Sequence, residues 1–181
     1  MRDEFEIEDE WVPFETHSTL PTTGIPWSTY FKGMDSAGFF AGLDERGQQI
    51  GDGRGVRFNH QPDMFNTHAA LLGGEFAREA GKGHEYHDAV FKAYFTELRN
   101  IADTAVLREI AESVGLDADA FEAATTDGRF EKTMERTRDD ARAHGVTAAP
   151  TFIIEGYGKL TGAQPEATFR AAFAEAMRTK L

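Results

Sequence analysis

The sequence predicts an α/β domain in which a run of helices is inserted between two strand regions. Three observations carry this. Behind Pro150, Phe152-Ile153-Ile154 is short, apolar and β-branched, as a buried strand should be. Between about residues 66 and 144, four or five segments repeat apolar residues at helical spacing. Near the start, Phe5, Ile7, Trp11, Val12 and Phe14 alternate in part with acids. At 181 residues the chain fits one domain over 1–181, large enough to bury about 70% of its unfolded surface.

In order, Ile7 to Phe14 reads loosely as one strand, and His17 to Trp27 as a loop holding Pro21, Gly24 and Pro26. A short helix is expected from Asp35. Gly47, Gly51, Gly53 and Gly55 lack the strand and the Lys or Ser/Thr that a phosphate cradle requires, so Gly47 to Gly55 reads as a flexible turn. From Thr67 the pattern turns helical. Ala69, Leu72, Phe76 and Ala80 share one face before Gly81, and Tyr86, Val90, Phe91, Tyr94, Phe95 and Leu98 share the next. Asp103 caps a third helix with Val106, Leu107, Ile110 and Val114 inward, and Asp117 caps a fourth. Phe130 to His144 forms a fifth, with Met134, Thr137 and Ala141 inward. Gly145 stands where a helix-ending glycine belongs. Pro150 fits a strand's first residue because it donates nothing to a ladder. Glu155 to Gly158 is a turn, and Pro165 opens a last helix whose inner face holds Phe169, Ala172, Phe173, Ala176 and Met177.

Composition limits function. A net charge of −12 argues against nonspecific binding to nucleic acid or anionic membranes, both of which need a basic face. No apolar run approaches the roughly 20 residues of a membrane-spanning helix, and Met1-Arg2-Asp3-Glu4 does not lead into a signal sequence. The cytoplasm is the expected compartment. There is no cysteine, so the chain offers neither a disulfide nor a thiol nucleophile. His68, His84 and His87 lack the spacing of a zinc site and read as solvated helix-start residues; no metal ligand and no catalytic residue is assigned.

Gly145-Val146-x-x-x-Pro150-x-Phe152-Ile153-Ile154, followed by Thr161-Gly162-Ala163-Gln164-Pro165, resembles the C-terminal half of the thioredoxin-fold family named after DsbA. The likeness is to the cytoplasmic branch that includes the FrnE proteins and the 2-hydroxychromene-2-carboxylate isomerases. Asn66-Thr67-His68-Ala69, Phe91 to Glu97, Asn100-Ile101-Ala102-Asp103, Val106-Leu107 and Val114-Gly115-Leu116-Asp117 resemble the same family in the same order. The match runs roughly from Asn66 to Met177, with a weaker one in the first thirty residues.

This resemblance implies a thioredoxin-like sheet with a helical insertion at about 66–144, and the activity of a thiol-disulfide oxidoreductase. It also implies that Trp11 to Glu15 is the second strand. The first strand and the cysteine-bearing helix would then precede Met1, over about 25 to 30 residues for one strand and one crossover helix. Without cysteine, this polypeptide is expected to be inactive in disulfide exchange. The alternatives are a noncatalytic module that binds peptide or glutathione, and a relative of the glutathione-dependent isomerases.

The family role places Pro150, in the cis form, beside the active-site cysteines, and has the backbone of Ala149 pair with an extended peptide or with glutathione. Gly162, Ala163 and Gln164 are expected to open the last helix and receive a carboxylate such as that of glutathione. Asn66 matches the family's asparagine before the insertion and could equally be an N-cap. Loss of a central first strand would leave two edges unpaired. Either the Trp11 strand then pairs with Phe152 to Ile154, or a strand from a second copy enters and makes a homodimer. A monomer with an open central gap would count against the fold.

Overall fold

A computed structural model describes residues 1, 3–32, 45, 47–49, 51 and 56–179. The short helix expected from Asp35 lies outside the described residues, as do positions 52–55 of the glycine-rich turn. Where that turn is described, at 47–49 and 51, the backbone is helical instead. Its helix formers explain the difference, with Gln49 Nε2 donating to Glu45 Oε1 one turn earlier at 3.5 Å.

The chain packs as two compact units, His17–Met134 and Met1–Thr16 together with Glu135–Leu181. The first is helical. Its only described strands are β1 (Ile25–Pro26) and β2 (Asp63–Met64), a two-residue antiparallel bridge that the sequence gives no periodicity to announce. The single turn α1 (Trp27–Tyr30) follows β1. Then come α2 (His68–Glu79), α3 (Gly83–Phe91), a π-helical turn (Lys92–Thr96), α4 (Thr104–Ser113) and α5 (Ala118–Thr126). Asp103 Oδ1 accepts from Ala105 N at 2.9 Å and Asp117 Oδ1 from Ala120 N at 2.8 Å, so both predicted caps are made. Gly81 and Gly115 end their helices with positive φ.

These helices bury Tyr86, Val90, Leu107, Ile110 and Phe121 in one core. Gly73 lets α2 approach closely: a Cβ there would stand 2.5 Å from both the Phe121 ring and the Tyr86 hydroxyl. The second helix departs from its expected face. Phe91 and Leu98 are 49% and 40% exposed, while Ala93 is buried. Phe91 stands ahead of the π turn, one position past the buried Val90 on α3; the wider turn over Lys92–Thr96 shifts the phase of the residues beyond it, and Leu98 ends the run with φ +58. The carbonyls at that helix end are taken up by the segment leading to β2. Asn59 N donates to Phe95 O at 2.7 Å, Asn59 Nδ2 to Thr96 O at 2.5 Å, and Gln61 Nε2 to Tyr94 O at 3.3 Å. Tyr94 in turn donates its hydroxyl to Asp63 O at 3.1 Å, and burial pushes its pKa up to about 12.

The second unit is a hairpin and a helix. α6 (Glu131–Ala143) enters it, the division falling between Met134 and Glu135. β3 (Thr151–Ile154) pairs antiparallel with β4 (Gly158–Thr161), and α7 (Glu166–Thr179) packs on β3 through Phe152 and Phe169, ring centroids 4.8 Å apart. Three expectations fail here. Phe152 and Ile153 are 39% and 51% exposed instead of buried, because β4 covers only one edge of β3 and α7 lies against only one of its faces. Met177 is exposed near the end of α7. Ile7 to Phe14 forms no strand and does not pair with β3: its alternation stops at Glu8-Asp9-Glu10, the Trp11 indole donates locally to Asp9 at 2.7 Å, and Pro13 removes a ladder donor. The start of the chain is tied instead to α7, by Phe5 against Phe173 and by Arg170 donating to Glu4.

The Ala149–Pro150 loop as candidate site

α6 ends at a glycine with left-handed backbone. Gly145 has φ +60, its N–H donates to Arg142 O at 3.0 Å, and Val146 N donates to Ala141 O at 2.8 Å. The ammonium of Lys159, on β4, donates to His144 O at 3.2 Å and to Gly145 O at 2.5 Å. That cation at the negative end of α6 fixes where the loop to β3 begins. Sequence reasoning did not single out Lys159, since no local pattern links it to a helix fourteen residues away.

Two bonds shape the loop's far end. Thr151 Oγ1 donates to Ala148 O at 2.6 Å, and Gly162 N donates to Pro150 O at 2.7 Å. The Ala149–Pro150 bond is cis, as the family role implies. Thr147, Ala148, Ala149 and Pro150 are all exposed. The Pro150–Gly162 bond brings two of the expected site segments together. Gly162 is half-buried with φ +81, whereas Ala163 and Gln164 are exposed. These three residues precede α7 and do not open it. The helix begins at Glu166 behind Pro165, and Gln164 Nε2 donates back to Thr161 O at 2.7 Å. Its first turn already carries a carboxylate, Glu166, bonded to Arg170 at 2.7 Å.

Asn66 belongs to the helical unit. It donates through Nδ2 to Leu20 O at 2.9 Å and to Ser18 O at 3.3 Å, and accepts at Oδ1 from His68 N at 2.9 Å. It thereby ties the loop after His17 to the start of α2, one residue ahead of the N-cap position Thr67. Among the described residues no group of His, Asp and Glu could hold a metal ion, and none of the helices is long and apolar enough to cross a membrane.

A hairpin led by an exposed proline loop and backed by a C-terminal helix, in a chain whose other unit is helical, is what a thioredoxin-fold protein with a helical insertion contains. Residues 11–174 match the family described as DSBA-like thioredoxin domain, and the chain belongs to that family. It is similar to a crystal structure described as a probable DsbA oxidoreductase from Streptomyces coelicolor, with a TM-score of 0.82 and 25% identity over 91% of this chain and 73% of that one. It is 30% identical to the uncharacterized protein YwbO of Bacillus subtilis over 97% of this chain and 85% of that protein. It is also 26% identical to the thiol:disulfide interchange protein DsbA of Pseudomonas aeruginosa, over 65% of this chain and 58% of that protein. The likeness settles the fold that the open edge of β3 had put in question.

Proposed function

We propose that this polypeptide is a thiol-free DsbA-family domain that binds an extended peptide, or the peptide-like glutathione, along the Ala149–Pro150 loop, without itself exchanging disulfides. The observation that carries this reading is an exposed loop from Thr147 to Pro150, held from both ends by Lys159, Thr151 and Gly162, in a chain with no cysteine. The thiolate that attacks a disulfide has no source in these 181 residues, but the backbone groups that would pair with a substrate strand do. Glutathione suits the same place, with its peptide bonds on the loop. The order of motifs from Asn66 to Pro165 supports membership of the FrnE branch. It also favours the glutathione-dependent isomerases as the second reading, since that chemistry keeps its thiol in a bound ligand.

Titration calorimetry with glutathione and with an unstructured apolar peptide, run beside an insulin-reduction assay, tests both readings. Binding without insulin reduction is expected. Absence of binding by either ligand to the folded chain overturns the proposal. Glutathione-dependent turnover of 2-hydroxychromene-2-carboxylate would select the second reading.

A further inference from the structure

Asp127, Gly128 and Arg129, all exposed, make the turn between α5 and α6. Asp127 closes α5 with its N–H on Ala123 O at 2.9 Å, and its side chain builds the turn by accepting Arg129 N at Oδ1, 3.0 Å away. Gly128 follows with φ +78, in the left-handed region. The turn therefore calls for an aspartate followed by a glycine, and that pair carries a chemical liability. With no side chain to shield it, a glycine nitrogen reaches the carboxyl carbon of a preceding aspartate with little hindrance. The nitrogen bonds to Cγ, a C–O bond of the carboxyl breaks, and one water leaves. The five-membered imide then takes a water back at either carbonyl. Opening at the side-chain carbonyl restores aspartate; opening at the main-chain carbonyl gives isoaspartate, at unchanged mass but with one more carbon in the backbone.

Two features of the folded turn oppose ring closure. Asp127 has ψ −1, which eclipses the Gly128 nitrogen with the nitrogen of Asp127 instead of with its Cβ, where the planar ring needs it. The leaving oxygen must also carry a proton, and Arg129 holds both oxygens as carboxylate: Nε donates to Oδ1 at 3.1 Å and to Oδ2 at 2.8 Å, and Nη2 to Oδ2 at 2.5 Å. That guanidinium first, and the Arg129 N–H second, keep the Asp127 carboxyl below its ordinary pKa. We propose that Asp127–Gly128 is a latent isoaspartate site and that Arg129 is the residue that keeps it closed in the folded chain. Once formed, the isoaspartate presents a free α-carboxylate, the group that a carboxyl methyltransferase takes. The inference stands on this turn and does not depend on the peptide-binding reading.

Ageing the folded chain warm, at neutral pH, for several weeks tests it. Isoaspartate is counted by methyl transfer from S-adenosylmethionine with an isoaspartyl methyltransferase. Peptide mapping then separates Asp127 from the second Asp-Gly pair, Asp52-Gly53, which lies outside the described residues. Arg129→Gln, checked for unchanged circular dichroism, is expected to raise conversion at Asp127 severalfold over the wild type and to leave Asp52 as it was. Arg129→Lys, a charge without the fork, should fall between. Concentrated salt reads the same pair without a variant: it screens an exposed ion pair, so it speeds conversion at Asp127 in the wild type and not in Arg129→Gln. Equal conversion at Asp127 in the wild type and in folded Arg129→Gln overturns the proposal, as does a wild-type rate that is the same in buffer and in urea, or one indifferent to salt.

Discussion

Phe121 in the helical unit and Phe152 in the hairpin unit are the same side chain put to different uses. Phe121 is 2% exposed, with Phe76 and Tyr86 against its ring at 6.0 and 5.6 Å. Phe152 meets Phe169 on one side and solvent on the other. Helices solve their backbone hydrogen bonding internally, so the helical unit needs only side chains to close its core. A two-stranded hairpin leaves a backbone edge on each strand and one face unsolved, and its apolar residues wait on whatever covers them.

The largest test of that contrast is a pair of truncations read by chemical denaturation. Phe121→Ala is expected to cost about 3–5 kcal/mol, the range for emptying a large core site. Phe152→Ala should cost about 1 kcal/mol or less, because much of its transfer term is never realised. Equal losses would show that the hairpin is as tightly built as the helical core, and the comparison would fall.

Two adjacent glycines sharpen it within α2. Gly73→Ala drives a methyl into Phe121 and Tyr86 and should destabilise by about 1–3 kcal/mol. At Gly74 a Cβ meets nothing within 4 Å, so Gly74→Ala should stabilise by roughly 0.5–1 kcal/mol through the helix preference of alanine. Opposite signs in thermal melts of the two variants are the expected outcome. The same sign in both would mean that the α2 packing is not set by contact at Gly73.

A smaller effect compares how the two units end their helices. Asp103→Ala and Asp117→Ala each remove a side-chain acceptor and should cost about 1 kcal/mol. Lys159→Met removes a cation from the exposed C-terminus of α6 and should cost only about 0.3–1 kcal/mol, a loss that salt reduces. Denaturant midpoints at low and high ionic strength separate them, since the aspartate caps are mainly local hydrogen bonds.

Those caps also show what was legible in the sequence. Asp103, Asp117, Gly81, Gly115, Gly145 and Pro165 act through their own few residues of backbone, and each marks its boundary where the sequence places it. The Pro150 loop was legible for the same local reason, with the family's order of motifs added. Lys159 was not, because it acts across the hairpin, and neither was Gln61, buried to hold a carbonyl 33 residues away. The π turn at Lys92–Thr96 defeated the periodicity itself, since counting by 3.6 assumes the helix that the turn interrupts. Ile153 was read as core because its chemistry is that of a core residue; what covers a strand is not written in the strand.

That π turn leads to the smallest prediction. His87 lies on α3 with its ring 4.1 Å from that of Phe91, whose outward position belongs to the same stretch of helix. Burial pulls the His87 pKa below the ordinary 6.5, against the opposing pull of Asp88 at 3.4 Å, with His84 adding to the lowering. A histidine whose folded pKa is depressed binds fewer protons than its unfolded counterpart, so stability must fall as pH drops through 6.5 and level off once pH is below the folded value. His87→Gln should remove that slope and leave stability near neutral pH little changed. Denaturation midpoints at steps from neutral to mildly acidic pH check it. A slope that persists in His87→Gln would place the titrating group elsewhere, and a slope of opposite sign would mean that the imidazolium is favoured against the Phe91 ring.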